Sequence, residues 1–155
     1  MSQIIAILAY EEGYKEQPYC DSEGYPTVAC GIRIGPRNAA ISLYTFSVPH
    51  EVGMLWMQQL VDGLQSEMLT RAVINAALQQ CNEARNDILT SMAYQLGIYG
   101  LSAFTQTLTR IAAGDFVGAA QSVIKSQWAR QTPARATRHA QVIASGTYDA
   151  YRGLL

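Results

Sequence analysis

Several protein classes need residue types that this sequence has little of. Among 155 residues there are three cysteines, two histidines and a 15% share of charged side chains. Cys20, Cys30 and Cys81 form no CxxC pair, have no histidine at metal-ligand spacing, and leave an odd count for a disulfide framework. They are read as reduced thiols, and no metal site is expected. His50 and His139 stand alone and are read as surface residues, not as ligands or bases. A formal net charge of −1 gives no overall basic footprint, which argues against a nucleic-acid partner. No run approaches the ~20 continuous apolar residues of a membrane span, so no stable membrane insertion is expected. Gly31 and Gly35 make neither a dinucleotide fingerprint nor a phosphate loop, and no G-x-S-x-G elbow presents a serine nucleophile.

What is present is a 49% share of hydrophobic residues, enough for one core in a chain of this length and too little for two comfortable domains. Charge is unevenly spread. Residues 1 to 30 hold five acids and one base, whereas residues 121 to 152 hold five bases and one acid, so the two ends are expected to attract each other. Ile4, Leu8 and Glu12 share a helical face, and Gly13 is a natural stop. Asp21-Ser22-Glu23-Gly24 has the type I turn preference, and alternation from Tyr25 predicts a small antiparallel sheet. Pro49 begins a long helix in which Val52, Trp56, Leu60 and Leu64 recur every four residues, reaching about Arg71. Further helices are expected over 83–97, 105–113, 115–125 and 133–145, with Pro133 in a first turn and Gly97, Gly114 and Gly146 as stops. Trp56, Phe104 and Trp128 are read as core aromatics.

Five of the 12 acidic residues, Glu11, Glu12, Glu16, Asp21 and Glu23, surround the predicted hairpin. Cleaving a glycosidic bond takes one carboxyl kept protonated as an acid and a second carboxylate opposite it. Glu12 ends an apolar helix face, where desolvation is expected to favour the neutral form of an acid. Asp21 sits at the lip of a solvent-exposed turn, where a carboxylate stays ionised. The plain structural roles of a helix-end residue and a turn cap would account for the same two positions.

A wider pattern weighs the choice. Glu12-Gly13, Tyr19-Cys20-Asp21, Gly24 to Val28 and Gly31 resemble the phage-type lysozymes of glycoside hydrolase family 24. Met92 to Gly97, Gly100 to Phe104, Lys125 to Trp128, Gln131 to Ala136 and Gly146 to Tyr151 are similar to that family's later blocks, in family order. The resemblance implies that Glu12 is the general acid, Asp21 the second carboxylate and Thr27 the hydroxyl that helps to hold the attacking water. It implies an orienting role for Arg135 toward Glu12. By position, Arg33, Tyr94, Thr107 and Ser122 fall where the family contacts the glycan. Ile32 stands where the family usually has His, and residues 33 to 50 align poorly.

The expected fold is therefore α+β and lysozyme-like, a single domain over 1–155. A smaller β-containing lobe spans about 14–55, a helical lobe comprises 1–13 with about 70–155, and a linking helix covers about 50–71. The acids would flank a cleft through which glycans thread. The expected function is a muramidase that cleaves the β-1,4 bond between N-acetylmuramic acid and N-acetylglucosamine in peptidoglycan, inverting, without metal or cofactor, as a monomer, in phage-induced lysis. An antibacterial effector with the same chemistry and a non-catalytic peptidoglycan-binding module are the alternatives. The first residues lack a basic n-region and carry acids where a cleavage site would lie. Synthesis in the cytoplasm without a signal peptide is expected, with action in the periplasm or wall after release or delivery.

Overall fold

A computed structural model describes residues 1–155. It contains eight α-helices and one three-stranded antiparallel sheet, which is the α+β class. The chain divides into two compact units, Leu8–Leu60 on the one hand and Met1–Ile7 with Val61–Leu155 on the other. Helix α1 (Ile4–Glu12) buries Ile4, Ile7 and Leu8. It stops where Gly13 takes φ +66° and donates its amide to the Ala9 carbonyl. A β-carbon resists that left-handed conformation, so the helix ends directly after Glu12.

In the unit Leu8–Leu60, strands β1 (Lys15–Cys20), β2 (Pro26–Ala29) and β3 (Ile32–Arg33) lie in that order. Thr27 on the middle strand faces Tyr19 on one side and Arg33 on the other. The β1–β2 register shifts between Lys15 and Tyr19. Val28, Ala29, Ile32 and Val48 form a small core with Tyr14 and Ile34 against it. Ile32 is thus part of an apolar cluster.

Helix α2 (His50–Thr70) forms close to where it is expected, but its buried face is one residue away from the predicted stripe. Val52, Trp56 and Leu60 are exposed, while Met57, Val61 and Met68 are buried. Gly53 explains the offset locally. A Cβ there would stand 2.1 Å from the Tyr14 hydroxyl, so the helix lays its smallest residue on the Tyr14 ring and turns Trp56 outward. The expectation of a core Trp56 is corrected accordingly.

In the larger unit, α3 (Ala72–Leu78), α4 (Glu83–Ser102), α5 (Thr105–Ala112), α6 (Phe116–Ile124), α7 (Gln127–Gln131) and α8 (Pro133–Ser145) share one core. Every residue from Asp87 to Ala93 is buried, because α4 is wrapped by its neighbours and has no solvent face there. Asn82, Asp115 and Ser126 cap α4, α6 and α7 by accepting from the amides of Arg85, Gly118 and Ala129. At Gly97 the backbone leaves the helical region (φ +73°, ψ 167°), so the first helical run stops there as expected and a second, short run continues to Ser102. The buried Asp87 carboxylate accepts from Ser2 Oγ, the Gln3 amide and Tyr148 OH at 2.6–2.8 Å, tying down the first turn of α1. No helix is long and apolar enough to cross a membrane.

His139 is fully buried, contrary to the surface placement expected from sequence. Its Nε2 lies 3.0 Å from Ser91 Oγ and its Nδ1 3.0 Å from Tyr151 OH, and Trp128 packs edge-on to the ring. Both ring nitrogens have partners, so an imidazole can be buried at low cost. Burial first, then the Arg135 and Arg138 charges, hold its pKa well below the ordinary value. The unfolded chain therefore takes up this proton before the folded one does. Stability from His139 is complete above about pH 6.5 and falls as pH drops below it, with a slope approaching ~1.4 kcal/mol per pH unit. Urea melts between pH 7.5 and 5 should show this loss, and a His139→Gln variant should show a flatter profile. Equal slopes in the two proteins would rule the histidine out as the cause.

Candidate active site

The Glu12 carboxyl lies against the turn between β2 and β3. Gly31, in the β2–β3 turn, has φ +69°, and a Cβ built there would stand 2.9 Å from Glu12 Oε2 and 3.5 Å from its Cδ. The glycine thus serves two purposes, the left-handed turn and room for the Glu12 carboxylate over its backbone. The buried Cys30 thiol next to it is pushed up to about 11, by burial first and then by the Glu12 charge.

Asp21 is fixed by its own turn. Its backbone N–H donates to the Tyr25 carbonyl and its carbonyl accepts from the Gly24 amide, at 2.9 and 3.0 Å. Its Oδ1 accepts from the amides of Glu23 and Tyr25 at 2.9 and 2.8 Å, and its Oδ2 accepts from Arg33 Nε at 3.0 Å. Partial desolvation pushes this carboxyl up, but the Tyr25 and Glu23 amides and the Arg33 guanidinium together hold it below the usual carboxylate value. Asp21 is thus an ionised carboxylate in a fixed orientation.

Thr27 joins this arrangement through the Tyr25 carbonyl, which accepts from both the Asp21 amide and Thr27 Oγ1, the latter at 2.9 Å. The Thr27 side chain is almost fully buried. Its hydroxyl proton is committed to Tyr25, leaving the oxygen as an acceptor. Tyr19, opposite Thr27 in the sheet, has its phenol pKa raised by burial first, then by the charges of Glu12 and Asp21. One phenol therefore feels both carboxylates. Glu12, Asp21 and Thr27 all belong to the unit Leu8–Leu60.

The other residues named from sequence are distributed as follows. Arg33 on β3 engages Asp21 and Glu23 and stacks over the Tyr25 ring at 4.0 Å. Arg135 is buried on α8, its Nη2 donating to the Ser91 carbonyl and Oγ at 3.1 and 3.0 Å. Tyr94 is half-buried on α4. Ser122, on α6, donates to the Gly118 carbonyl and lines an open polar cavity of about 260 Å³ with Gln106, Gln121 and Lys125. Thr107, on α5, is buried, as Thr27 is. Cys20, Cys30 and Cys81 are free thiols, exposed, buried and half-buried in turn. Sequence reasoning missed the clamp on Asp21. It depends on the register of β2 and β3, which sets Arg33 opposite Thr27.

The phage lysozyme family model matches residues 9–141. The protein named "Probable T4-type lysozyme 1" of Dictyostelium discoideum is 30% identical over 169 residues, covering 98% of this chain and 99% of that one. "Probable T4-type lysozyme 2" of the same organism is 25% identical with similar coverage. The pre-baseplate central spike protein Gp5 of Enterobacteria phage T4 is 28% identical over 94% of this chain, a match to 28% of its own length. The chain belongs to the phage lysozyme family. As such it is a glycoside hydrolase of the lysozyme class, with bacterial peptidoglycan as its substrate.

Proposed function

We propose that the enzyme hydrolyses the β-1,4 bond between N-acetylmuramic acid and N-acetylglucosamine with inversion at the anomeric carbon. The observation that carries this reading is the contrast between two carboxyls in one unit. Asp21 is held ionised by two amides and a guanidinium, while Glu12 lies over Gly31 at the end of an apolar helix. Glu12 protonates the leaving glycosidic oxygen. Asp21 stabilises the positive charge that develops on the sugar and takes the proton of the attacking water, which Thr27 Oγ1 helps to hold by accepting its second O–H. Protein carboxyls supply both acid and base, so the scheme needs no metal or cofactor.

Inversion rather than retention is favoured by the placement of the second carboxylate. A retaining enzyme attacks carbon directly from a carboxylate about 5 Å from the acid. Here both Asp21 oxygens already accept hydrogen bonds, and a carboxylate so stabilised is a poor nucleophile but a serviceable partner for water. Arg135, Tyr94 and Ser122 keep in this reading the orienting and glycan-contacting roles that the resemblance implies. The biological setting is phage-induced lysis of the host.

The test is proton NMR of the first product formed from soluble glycan strands. An initial α-anomer with muramic acid at the new reducing end is the expected result. An initial β-anomer, or a glycosyl ester trapped on Asp21, would overturn inversion, and N-acetylglucosamine at the reducing end would overturn the bond assignment. Thr27→Ala should lower turnover about tenfold or more without unfolding the protein, by loosening the water's position.

A further inference from the structure

We infer that Arg33 is a positioning residue of the reaction, which acts by clamping the Asp21 carboxylate and not by touching the glycan. The inference rests on the reading of Asp21 given above. Three independent contacts fix the guanidinium. Nε donates to Asp21 Oδ2 at 3.0 Å, Nη2 pairs with Glu23, and Cζ lies over the Tyr25 ring, 4.0 Å from its centroid. Tyr25 also supplies the amide that binds Asp21 Oδ1 and the carbonyl that accepts from Thr27. A single residue therefore links the arginine's stacking surface to both groups that handle the water.

The sheet explains why position 33 has this role. Strand β3 has only two residues, and its register sets Arg33 directly opposite Thr27, on the side of the middle strand away from Tyr19. From there the side chain reaches the carboxylates of Asp21 and Glu23. Arginine suits the task because its planar fork can address two carboxylates and an aromatic face at once, which a lysine ammonium cannot. With Oδ1 taken by two amides and one lone pair of Oδ2 by Nε, one direction remains on the carboxylate for a proton. The clamp thus selects which lone pair receives the proton of the water. Until that proton arrives, the clamp keeps the carboxylate charged and facing the sugar as positive charge develops. The direction in which Asp21 is shifted, below the usual carboxylate value, agrees with this.

Two variants and two readouts test the proposal. Removal of the cation should raise the carboxyl's pKa, so in Arg33→Gln the acid limb of kcat/KM should move to higher pH. At the pH optimum kcat should fall about tenfold, the order expected for a misaligned catalytic group, with KM within about twofold of wild type. Arg33→Lys should recover part of the acid limb and less of kcat, since it restores charge without the fork. Carbon-13 NMR titration of the Asp21 carboxyl in the same proteins provides a readout that needs no turnover. An upward shift of its midpoint in Arg33→Gln is expected even if the wild type proved inactive on the proposed bond, so failure of the reaction assignment and failure of the clamp are separable. A raised KM with kcat, the acid limb and the Asp21 midpoint all unchanged would overturn the proposal and make Arg33 a glycan contact.

Discussion

Replacing Glu12 by glutamine is expected to reduce peptidoglycan hydrolysis by about 10²–10⁴-fold, the contribution of a positioned general acid. The amide has nearly the shape of the carboxyl it replaces, so it can occupy the same place over Gly31, 2.9 Å from where a Cβ would stand. What it lacks is an acidic proton for the leaving oxygen. The fold should stay intact, because an amide of nearly the same shape creates no cavity. Release of reducing ends from purified wall, set against a thermal melt, separates the two effects. Retention of more than a few per cent of turnover would remove Glu12 from the acid role. The Tyr19 phenol provides a second check. Burial is the largest cause of its raised pKa, and Glu12 is the next, so Glu12→Gln should bring that titration down even where no substrate is present.

The parts of the site encoded within a few consecutive residues were legible in the sequence. Glu12 followed by a glycine stop, and Asp21 followed three residues later by Gly24, each specify a local conformation, and both form at the expected positions. The burial of α4 from Asp87 to Ala93 was not legible in the same way, because Asp87, Thr90 and Ser91 interrupt the apolar residues there. What could not be read depends on partners that are distant in sequence. The two-residue strand β3 has no periodicity of its own, so the placement of Arg33 opposite Thr27 follows only from the register of the sheet. His139 looks like a solvated histidine until Ser91 and Tyr151, 48 positions before it and 12 after it, satisfy its ring. The outward Trp56 has the same kind of cause. A four-residue apolar repeat on α2 was overruled by the contact of Gly53 with Tyr14, which rotates the buried face by one residue. Helix α7 is five residues long, too short for a pattern and dependent on the cap from Ser126.

Asp21→Asn should lower turnover by about 10²–10³-fold, the scale for removing one preorganised electrostatic partner of a transition state. The substitution separates charge from geometry more cleanly than alanine would. An asparagine carbonyl can still accept from the amides of Glu23 and Tyr25, which now bind Oδ1 at 2.9 and 2.8 Å, so the turn survives. Its NH₂ group, however, is then aimed at Arg33 Nε, donor against donor, and no negative charge remains to face the sugar. Stability carries a signature of the same loss. The folded-state pKa of Asp21 lies below its ordinary value, so the carboxylate contributes stability that is present above about pH 4 and is lost as pH falls through the folded-state value. The variant should therefore be less stable than wild type at neutral pH, with the gap closing in acid. Combining Asp21→Asn with Arg33→Gln should cost little more turnover than Asp21→Asn alone, because the arginine's contribution passes through the carboxylate. Additive losses in that double variant would mean that the two side chains act on the glycan separately.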